Sequence, residues 1–294
     1  MYRMFSALIA LLLISLPSWV QAGILHEERS LYRNIIVSEA DGQRCMRFVL
    51  HDKVNHNQSC VFLNDGKKLV FDYTKMVLAS LLIKPEPKNI LVVGLGGGTL
   101  PMVFHQLLPS AQITSVEIDP AVVKAAQRFF AYQENPQVIT ELLDARVFIK
   151  RAGRQGKKWD LVVLDAFNGD YIPEHLMTRE FLQEVQAVLN PGGLVAANTF
   201  ADSRLYHHET ATYNAVFSHI HMLSFRRGNR VLFAANDAFS LPAPQLAVEQ
   251  WQARLTPYGV DVKEILHMEQ PNTWDKSARV LTDQFSPANI LKNQ

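Results

Sequence analysis

The 294-residue sequence has little cysteine, little glycine and no excess of charge of either sign. Two cysteines are too few for a disulfide-rich scaffold, and 14 glycines are too few for a collagen-like fibre. The 29 Lys and Arg residues nearly balance the 28 Asp and Glu residues, so the chain lacks the basic excess that neutralises nucleic-acid phosphates. At 48% hydrophobic residues, it is too apolar for a disordered chain. These absences favour a folded protein with a small-molecule ligand and no nucleic-acid partner.

The first 22 residues have the pattern of a secretory signal peptide. Arg3 precedes an apolar run over Phe5–Leu16, and Val20-Gln21-Ala22 gives a cleavage pattern. The apolar run is shorter than the roughly 20 residues that a membrane-spanning helix needs. We therefore predict export, with cleavage near Ala22 and a periplasmic mature chain that has no other membrane contact. The alternative is an inner-membrane anchor formed by residues 5–20.

Export changes what the two cysteines imply, because disulfides persist in oxidising compartments. Cys45 and Cys60 each lie in an apolar, β-prone segment, Arg44–His51 or Gln58–Leu63. The polar stretch between these segments predicts a hairpin, and a turn at its centre would place the two cysteines opposite each other. A disulfide and a pair of buried free thiols both fit this pattern.

After the leader, the sequence pattern divides the chain into two parts. Residues 23–75 are predicted to form short strands with turns at Asp41-Gly42 and Asp65-Gly66, which makes a small N-terminal β module. In residues 76–294, apolar strands alternate with amphipathic helices. This alternation predicts an α/β domain with a doubly wound, mostly parallel sheet and helices on both faces.

The elements of this domain follow from apolar runs, caps and turn residues. The predicted strands are Asn89–Val93, Ile113–Glu117, Val138–Leu142, Leu161–Leu164 and Leu194–Asn198. The predicted helices are Thr99–Leu108, Pro120–Phe130 with Asp119 as N-cap, and Thr178–Leu189 closed by Pro191-Gly192-Gly193. A hairpin at the sheet edge is predicted from His221–Phe225 and Arg230–Ala235.

Ligands of such sheets bind outside the carboxyl ends of the strands. The glycines Gly94, Gly96, Gly97 and Gly98 follow the first strand and open a helix. Glycine lets the backbone approach a ligand closely, and a helix N-terminus offers unpaired N–H groups. Glu117 ends the next strand, where a carboxylate can accept hydrogen bonds from ribose hydroxyls. The loop and the acid together predict a nucleoside site.

Two more acids close strands. Asp144 follows the third strand and precedes Ala145, a position that suits the exocyclic amine of adenine, and Asp165 ends the fourth strand. A dinucleotide fits less well, because its fingerprint needs a glycine where Thr99 stands. A glycine loop with three acids at successive strand ends instead indicates a site for an adenosine-type sulfonium nucleoside.

These motifs resemble those of the spermidine synthase (polyamine aminopropyltransferase) family, which shares the Rossmann-like fold of the S-adenosylmethionine-dependent methyltransferases. The resemblance covers roughly residues 31–200. It is carried by Asn89–Leu100, Val116-Glu117-Ile118-Asp119, Leu143-Asp144-Ala145, Trp159–Asp165 and Leu189-Asn190-Pro191-Gly192-Gly193.

The resemblance implies a role for each matched residue. Glu117 would bind the ribose, Asp144 the adenine, and Asp165 would accept a proton from the attacking amine. Tyr73 looks like a tyrosine of the family's site, and Gln58 is a poorer match to a family glutamine. The implied reaction moves an aminopropyl group from decarboxylated S-adenosylmethionine to a small amine. It needs no metal, because the sulfonium already activates its leaving group.

Three departures from the family pattern leave the specificity open. The glycine loop has no aspartate for the donor's amine, Asn168 stands where a second aspartate is expected with Asp170 nearby, and Lys75 replaces a glutamate. Lys75 could hold the carboxylate of intact S-adenosylmethionine. The alternatives are therefore methyl transfer from that cofactor and a non-catalytic, exported nucleoside-binding protein. The acceptor and a homodimeric state stay open.

Overall fold

The computed structural model describes residues 23–49, 57–168, 171–224 and 228–286, so the segment predicted to be a signal peptide lies outside the described residues. The strands are β1 (Gly23–Arg29), β2 (Asn34–Ala40), β3 (Gln43–Val49), β4 (Asn57–Phe62), β5 (Asn89–Val93), β6 (Gln112–Glu117), β7 (Val138–Leu142), β8 (Trp159–Leu164), β9 (Leu189–Phe200), β10 (His219–Ser224), β11 (Asn229–Ala235) and β12 (Glu269–Gln270). The helices are α1 (Asp72–Leu78), α2 (Ser80–Ile83), α3 (Thr99–Leu107), α4 (Pro120–Phe129), α5 (Ala145–Arg154), α6 (Arg179–Ala187), α7 (Tyr206–Asn214), α8 (Pro244–Leu255) and α9 (Val262–Leu266), with 3-10 turns at Glu174–Leu176 and Thr256–Tyr258.

Strands β1 to β4 form an antiparallel sheet in sequence order, as predicted for the N-terminal module. Asp41 and Gly42 join β2 to β3 with φ values of 51° and 74°, the left-handed pair typical of a two-residue hairpin turn. Ile35 and Met46 of the module pack in one apolar cluster with Val122 of α4. This cluster docks the module against the larger domain.

Cys45 and Cys60 lie opposite each other on β3 and β4 and form a disulfide, with their Cα atoms 4.1 Å apart. The predicted hairpin register is confirmed. Of the two open alternatives for the cysteines, the structure has the disulfide and not the free thiols.

Removing this disulfide is expected to cost about 3 kcal/mol of unfolding free energy. The two cysteines are 15 residues apart in sequence, and cross-linking a loop of about that length restricts the unfolded chain by about this amount. Urea denaturation of a variant with both cysteines replaced by serine measures the loss. Reductant should destabilise the natural chain and leave the variant unchanged; a natural chain indifferent to reductant contradicts the expectation.

The second sheet has eight strands among the described residues, in the order β12-β10-β11-β9-β8-β5-β6-β7. The five strands from β9 to β7 are parallel, and β11, β10 and β12 continue the sheet antiparallel. β5 and β8 are buried along nearly their whole length, as expected for strands covered on both faces. The predicted doubly wound, mostly parallel sheet is confirmed, with β12 added outside the predicted edge hairpin.

Two apolar cores cover the faces of this sheet. One includes Phe104 of α3 and Trp251 of α8, and the other includes Phe148 of α5 and Phe181 of α6. Full burial of a phenylalanine stabilises a fold by about 1.5–3 kcal/mol. Both cores contain residues of β5 and β8, so they fix the positions at which these strands end.

Helix starts follow the sequence signals more closely than helix ends do. α4 begins with Pro120, and the Asp119 side chain accepts a hydrogen bond from the Ala121 amide at 2.9 Å, as predicted. α6 ends at Ala187, however, and the Pro-Gly-Gly sequence at 191–193 lies within β9. The pairing with β8 skips residues 190–193, so these glycines form a bulge in a strand. They do not close the helix.

Within the described residues, no helix is both long and apolar enough to cross a bilayer.

Candidate active site

A cavity of about 370 Å³ lies at the carboxyl ends of β5, β6 and β8, where the N-terminal module meets the larger sheet. Most of the predicted site residues meet there. Its walls include Tyr73, Gly94, Gly96, Glu117, Asp144, Ala145 and Asp165. Three successive strand ends thus converge on one cavity, as predicted for an open α/β sheet.

The glycine loop contacts the cavity through only part of its length. Gly94 has φ 94° and comes so close to β8 that a Cβ there would lie 2.3 Å from the Asp165 carbonyl oxygen. Gly97 and Gly98 are not among the residues that line the cavity, and the ligand contact predicted for them stays a prediction. The Gly97 amide donates to Ser59 Oγ at 2.8 Å, and a Cβ at Gly98 would lie 2.5 Å from the Tyr132 ring. The lack of a side chain at both positions lets the loop pack closely against Ser59 and Tyr132.

Glu117 is buried and hydrogen-bonded to the backbone around it. Its Oε1 accepts from the amides of Ile118 (2.9 Å) and Asp119 (3.0 Å), and its Oε2 accepts from Leu95 (3.2 Å). A carboxylate oxygen can accept two hydrogen bonds, so Oε2 keeps one acceptor position for a ligand hydroxyl. Burial raises the pKa of Glu117, while these amide bonds and the charge of Arg33 lower it.

Asp144 has partners on both carboxylate oxygens. Oδ1 caps α5 by accepting from the Val147 amide at 3.0 Å, and Oδ2 lies 2.8 Å from Nε2 of His175. His175 also lines the cavity. An adenine amine that reaches Asp144 would therefore meet a carboxylate whose second oxygen already contacts a histidine.

Asp165 is partly buried and held by two side chains. Its Oδ1 accepts from Asn198 Nδ2 at 2.8 Å, and its Oδ2 accepts from the Tyr73 hydroxyl at 3.1 Å. Burial raises the pKa of Asp165 to about 7, although both hydrogen bonds lower it. The pKa of Tyr73 is raised well above its usual value by burial and by Asp165, so Tyr73 stays protonated and donates. An acid with a pKa near neutrality can exchange protons with a ligand at physiological pH.

The weakly matched Gln58 and the residues at which the sequence departs from the family pattern lie in different places. Gln58 and Asn168 line the cavity, and Asn168 Oδ1 accepts from the Tyr171 amide at 3.1 Å. Asp170 lies outside the described residues. Lys75 is absent from the cavity walls and pairs with Asp72 at 2.9 Å. The proposed role of Lys75 in holding a donor carboxylate therefore finds no support.

Sequence reasoning missed three contributors. Asn198 fixes Asp165, Ser59 fixes the glycine loop, and Arg33 lines the cavity. Asn198 lies on β9 and is itself held by Asn229, whose Nδ2 donates to Asn198 Oδ1 at 2.9 Å. None of the three belongs to a local motif, because each reaches the site through strand pairing or through docking of the module. Within the described residues, no group of three His, Cys, Asp or Glu side chains is placed to hold a metal ion.

Comparisons with known proteins agree with this geometry. The model of the spermine/spermidine synthase domain matches residues 70–223. The polyamine aminopropyltransferase of Vibrio vulnificus is 44% identical over 279 residues, which cover 92% of each chain. The probable spermidine synthase of Corynebacterium glutamicum has the same fold, with a TM-score of 0.66, 22% identity, and coverage of 90% of this chain and 98% of that one.

A methyltransferase shares the fold as well. Human methyltransferase-like protein 13 in complex with SAH superposes with a TM-score of 0.52 and 25% identity, over 70% of this chain and 93% of that one. The larger coverage and the higher identity are with the aminopropyltransferase.

Proposed function

This chain belongs to the spermine/spermidine synthase family, and we propose that it transfers the aminopropyl group of decarboxylated S-adenosylmethionine to a small amine. The observation that carries the proposal is Asp165, a carboxyl with a pKa near 7 held by Tyr73 and Asn198. It shares one cavity with Glu117 and with the glycine loop. A proton acceptor and residues suited to binding a nucleoside thus lie in the same cavity.

The residues present fit such a donor. The glycine loop brings backbone to the cavity edge at Gly94 and Gly96, and Glu117 Oε2 keeps an acceptor position for a ribose hydroxyl. When bound, the donor supplies a carbon that its sulfonium activates for displacement. Asp144 and Ala145 form the wall where adenine would lie.

Asp165 then has the remaining chemical task. An amine attacks through its lone pair, which an ammonium lacks, so a protonated acceptor must lose a proton before the new carbon–nitrogen bond forms. Each oxygen of Asp165 accepts one hydrogen bond, from Asn198 or from Tyr73, and keeps a second acceptor position that can take that proton. The two hydrogen bonds keep the carboxylate in one orientation. The carbon–sulfur bond breaks with its electron pair on sulfur, which leaves methylthioadenosine.

The direct test is product analysis. The protein without residues 1–22, incubated with decarboxylated S-adenosylmethionine and 1,4-diaminobutane, should release methylthioadenosine together with an aminopropylated amine. Mass spectrometry detects both products. Nucleoside binding with no release from a panel of amines would reject the enzymatic proposal and favour a binding protein.

The rate should depend on pH through Asp165. A base with a pKa of about 7 is protonated at lower pH, so kcat/KM should fall about tenfold for each pH unit below 7 and level off above it. Asn198→Ala removes a hydrogen bond that lowers this pKa, so the midpoint of the profile should move to higher pH. Asn198→Gln, which keeps an amide donor, should restore part of the shift. An unchanged midpoint in Asn198→Ala contradicts the assigned contact.

We also propose that the mature protein is exported to the periplasm. The proposal is supported by the signal-peptide pattern of residues 1–22 and by the Cys45–Cys60 disulfide, a bond that is rare in reducing compartments. N-terminal sequencing of the protein from a periplasmic fraction should begin at Gly23. Recovery of the full-length chain with the membranes would favour the anchored alternative.

A further inference from the structure

Arg33 brings a positive charge to the cavity. It is the only Lys or Arg among the described residues that line the cavity. It lies in the turn between β1 and β2, where its carbonyl oxygen accepts from the amide and the hydroxyl of Ser30, each at 3.0 Å. The backbone of Arg33 is therefore fixed, and the N-terminal module places this cation beside the larger domain.

The guanidinium is held in place but only partly satisfied. Nη1 donates to the carbonyl oxygen of Phe167 at 2.8 Å, and the group lies over the Phe48 ring, 4.4 Å from its centroid. Nε is buried and has no hydrogen-bond partner among the described residues. A buried donor without a partner costs free energy, and a guanidinium offers paired donors that match the geometry of a carboxylate. Arg33 thus has the chemistry of a carboxylate site.

The carboxylates near Arg33 attract its guanidinium, but their hydrogen bonds go to other groups. Glu117 and Asp119 attract Arg33, but Glu117 accepts three backbone amides and Asp119 caps α4. Neither carboxylate makes a hydrogen bond or ion pair with the Arg33 guanidinium within the described part of the chain.

The cavity is correspondingly poor in acids for a ligand with several ammonium groups. Gly96 carries no side chain, and a Cβ there would lie 2.7 Å from Ser59 Oγ, so an acid at this position would have to displace the Ser59 hydroxyl that the Gly97 amide engages. Asn168, beside Phe167, supplies an amide and no charge. Of the lining carboxylates, Asp144 contacts His175.

We propose that Arg33 binds a carboxylate of the acceptor, so that the acceptor is an amine that also carries a carboxylate. This inference rests on the proposed function and names its substrate class. The contact with Phe167, two residues after Asp165, places the guanidinium on the loop that follows the proton acceptor. An acceptor held there by its carboxylate would have its amine near Asp165. The amino-acid tail of intact S-adenosylmethionine carries the same chemical group, so the test must separate the two sources.

The first measurement compares two acceptors that differ by one carboxylate. Ornithine is 1,4-diaminobutane with a carboxylate on one terminal carbon. We expect the natural chain to use ornithine with the higher kcat/KM. Arg33→Gln should lower kcat/KM for ornithine about tenfold or more, the size expected for a hydrogen bond to a charged group, and should change the value for 1,4-diaminobutane less than about threefold. Lys75→Gln, which alters a lysine outside the cavity, should change neither value.

Equal losses for both acceptors in Arg33→Gln would overturn the proposal, because they would assign Arg33 to holding the Phe167 loop. No loss for either acceptor would overturn it as well. Arg33→Lys keeps the charge without the planar fork and should recover only part of the preference for ornithine.

The second measurement identifies the source of the carboxylate and does not depend on turnover. Calorimetry is done with ornithine in the presence of methylthioadenosine, and separately with intact and decarboxylated S-adenosylmethionine. Weaker ornithine binding in Arg33→Gln, with both donors unchanged, supports the proposal. A loss confined to intact S-adenosylmethionine would assign the carboxylate to the donor and overturn it. Release of methylthioadenosine with 1,4-diaminobutane, in contrast, tests the proposed function alone.

Discussion

Asp165→Asn is expected to lower turnover by about 10²–10⁴-fold, the usual contribution of a positioned proton acceptor. Asparagine keeps the size of the side chain and can still accept a hydrogen bond from Tyr73 or Asn198, but it cannot take the proton of the attacking amine. Nucleoside affinity should change much less, because Glu117 and the glycine loop form that part of the cavity. Single-turnover release of methylthioadenosine measures the rate, and calorimetry measures the affinity.

The same variant should be more stable at pH 8 than the natural chain. The folded protein holds the Asp165 proton up to about pH 7, while an unfolded chain loses it near pH 4. The carboxyl therefore stabilises the fold below pH 4, and this contribution is lost as the pH rises to 7. After allowance for partial exposure, the gain in Asp165→Asn is about 2 kcal/mol at pH 8 and disappears near pH 4.

Asp202→Asn, which alters an exposed carboxylate, is the matched control and should change neither turnover nor stability. Near-natural turnover in Asp165→Asn would reduce Asp165 to a structural residue at the end of β8. If Asp165→Asn loses turnover because it unfolds, the stability prediction is wrong. Tyr73→Phe then tests the role of Asp165, because it removes only the hydrogen bond from the Tyr73 hydroxyl and leaves the carboxylate in place.

Glu117→Gln should weaken binding of methylthioadenosine by about 10- to 100-fold, the loss expected for hydrogen bonds to a charged group. The amide nitrogen of glutamine cannot accept hydrogen bonds. It must therefore replace either the oxygen that accepts from Ile118 and Asp119 or the oxygen that accepts from Leu95. The second case removes the acceptor position proposed for ribose, and both disturb the backbone beside the cavity. Calorimetry of the folded variant gives the affinity.

Glu249→Gln on the exposed side of α8 controls for the loss of one charge and should bind methylthioadenosine normally. 2′-Deoxy and 3′-deoxy analogues of the nucleoside sharpen the test. If Glu117 binds a ribose hydroxyl, one of the two analogues should bind the natural chain more weakly than the parent nucleoside does. Glu117→Gln should bind that analogue and the parent nucleoside equally well. The full affinity of Glu117→Gln for the parent nucleoside would remove this residue from the ligand site.

The residues whose meeting in one cavity the sequence predicts are those at strand ends. Glu117, Asp144 and Asp165 each follow an apolar strand directly, and parallel strands bring their carboxyl ends to one edge. Once the sheet is predicted, the meeting of these three acids follows from local sequence alone. The Cys45–Cys60 pairing follows similarly, because a hairpin fixes register by distance from its turn.

The residues that escaped prediction depend on long-range geometry. Asn198 reaches Asp165 only because β9 pairs with β8 after a bulge at 190–193, and the same bulge explains why the predicted end of α6 was wrong. Arg33 and Ser59 reach the cavity because the module docks on α4. Gly97 and Gly98 look like ligand contacts in sequence, yet their neighbours Ser59 and Tyr132 are distant along the chain.

The choice between aminopropyl and methyl transfer is tested most directly by giving the protein both donors at once. Equal amounts of decarboxylated and intact S-adenosylmethionine are incubated with the protein without residues 1–22 and with both 1,4-diaminobutane and ornithine, and the nucleoside products are separated. The proposed function predicts methylthioadenosine as the product, at a rate that Asp165→Asn reduces by about 10²-fold or more. Accumulation of S-adenosylhomocysteine with a methylated amine, and no methylthioadenosine, would contradict it.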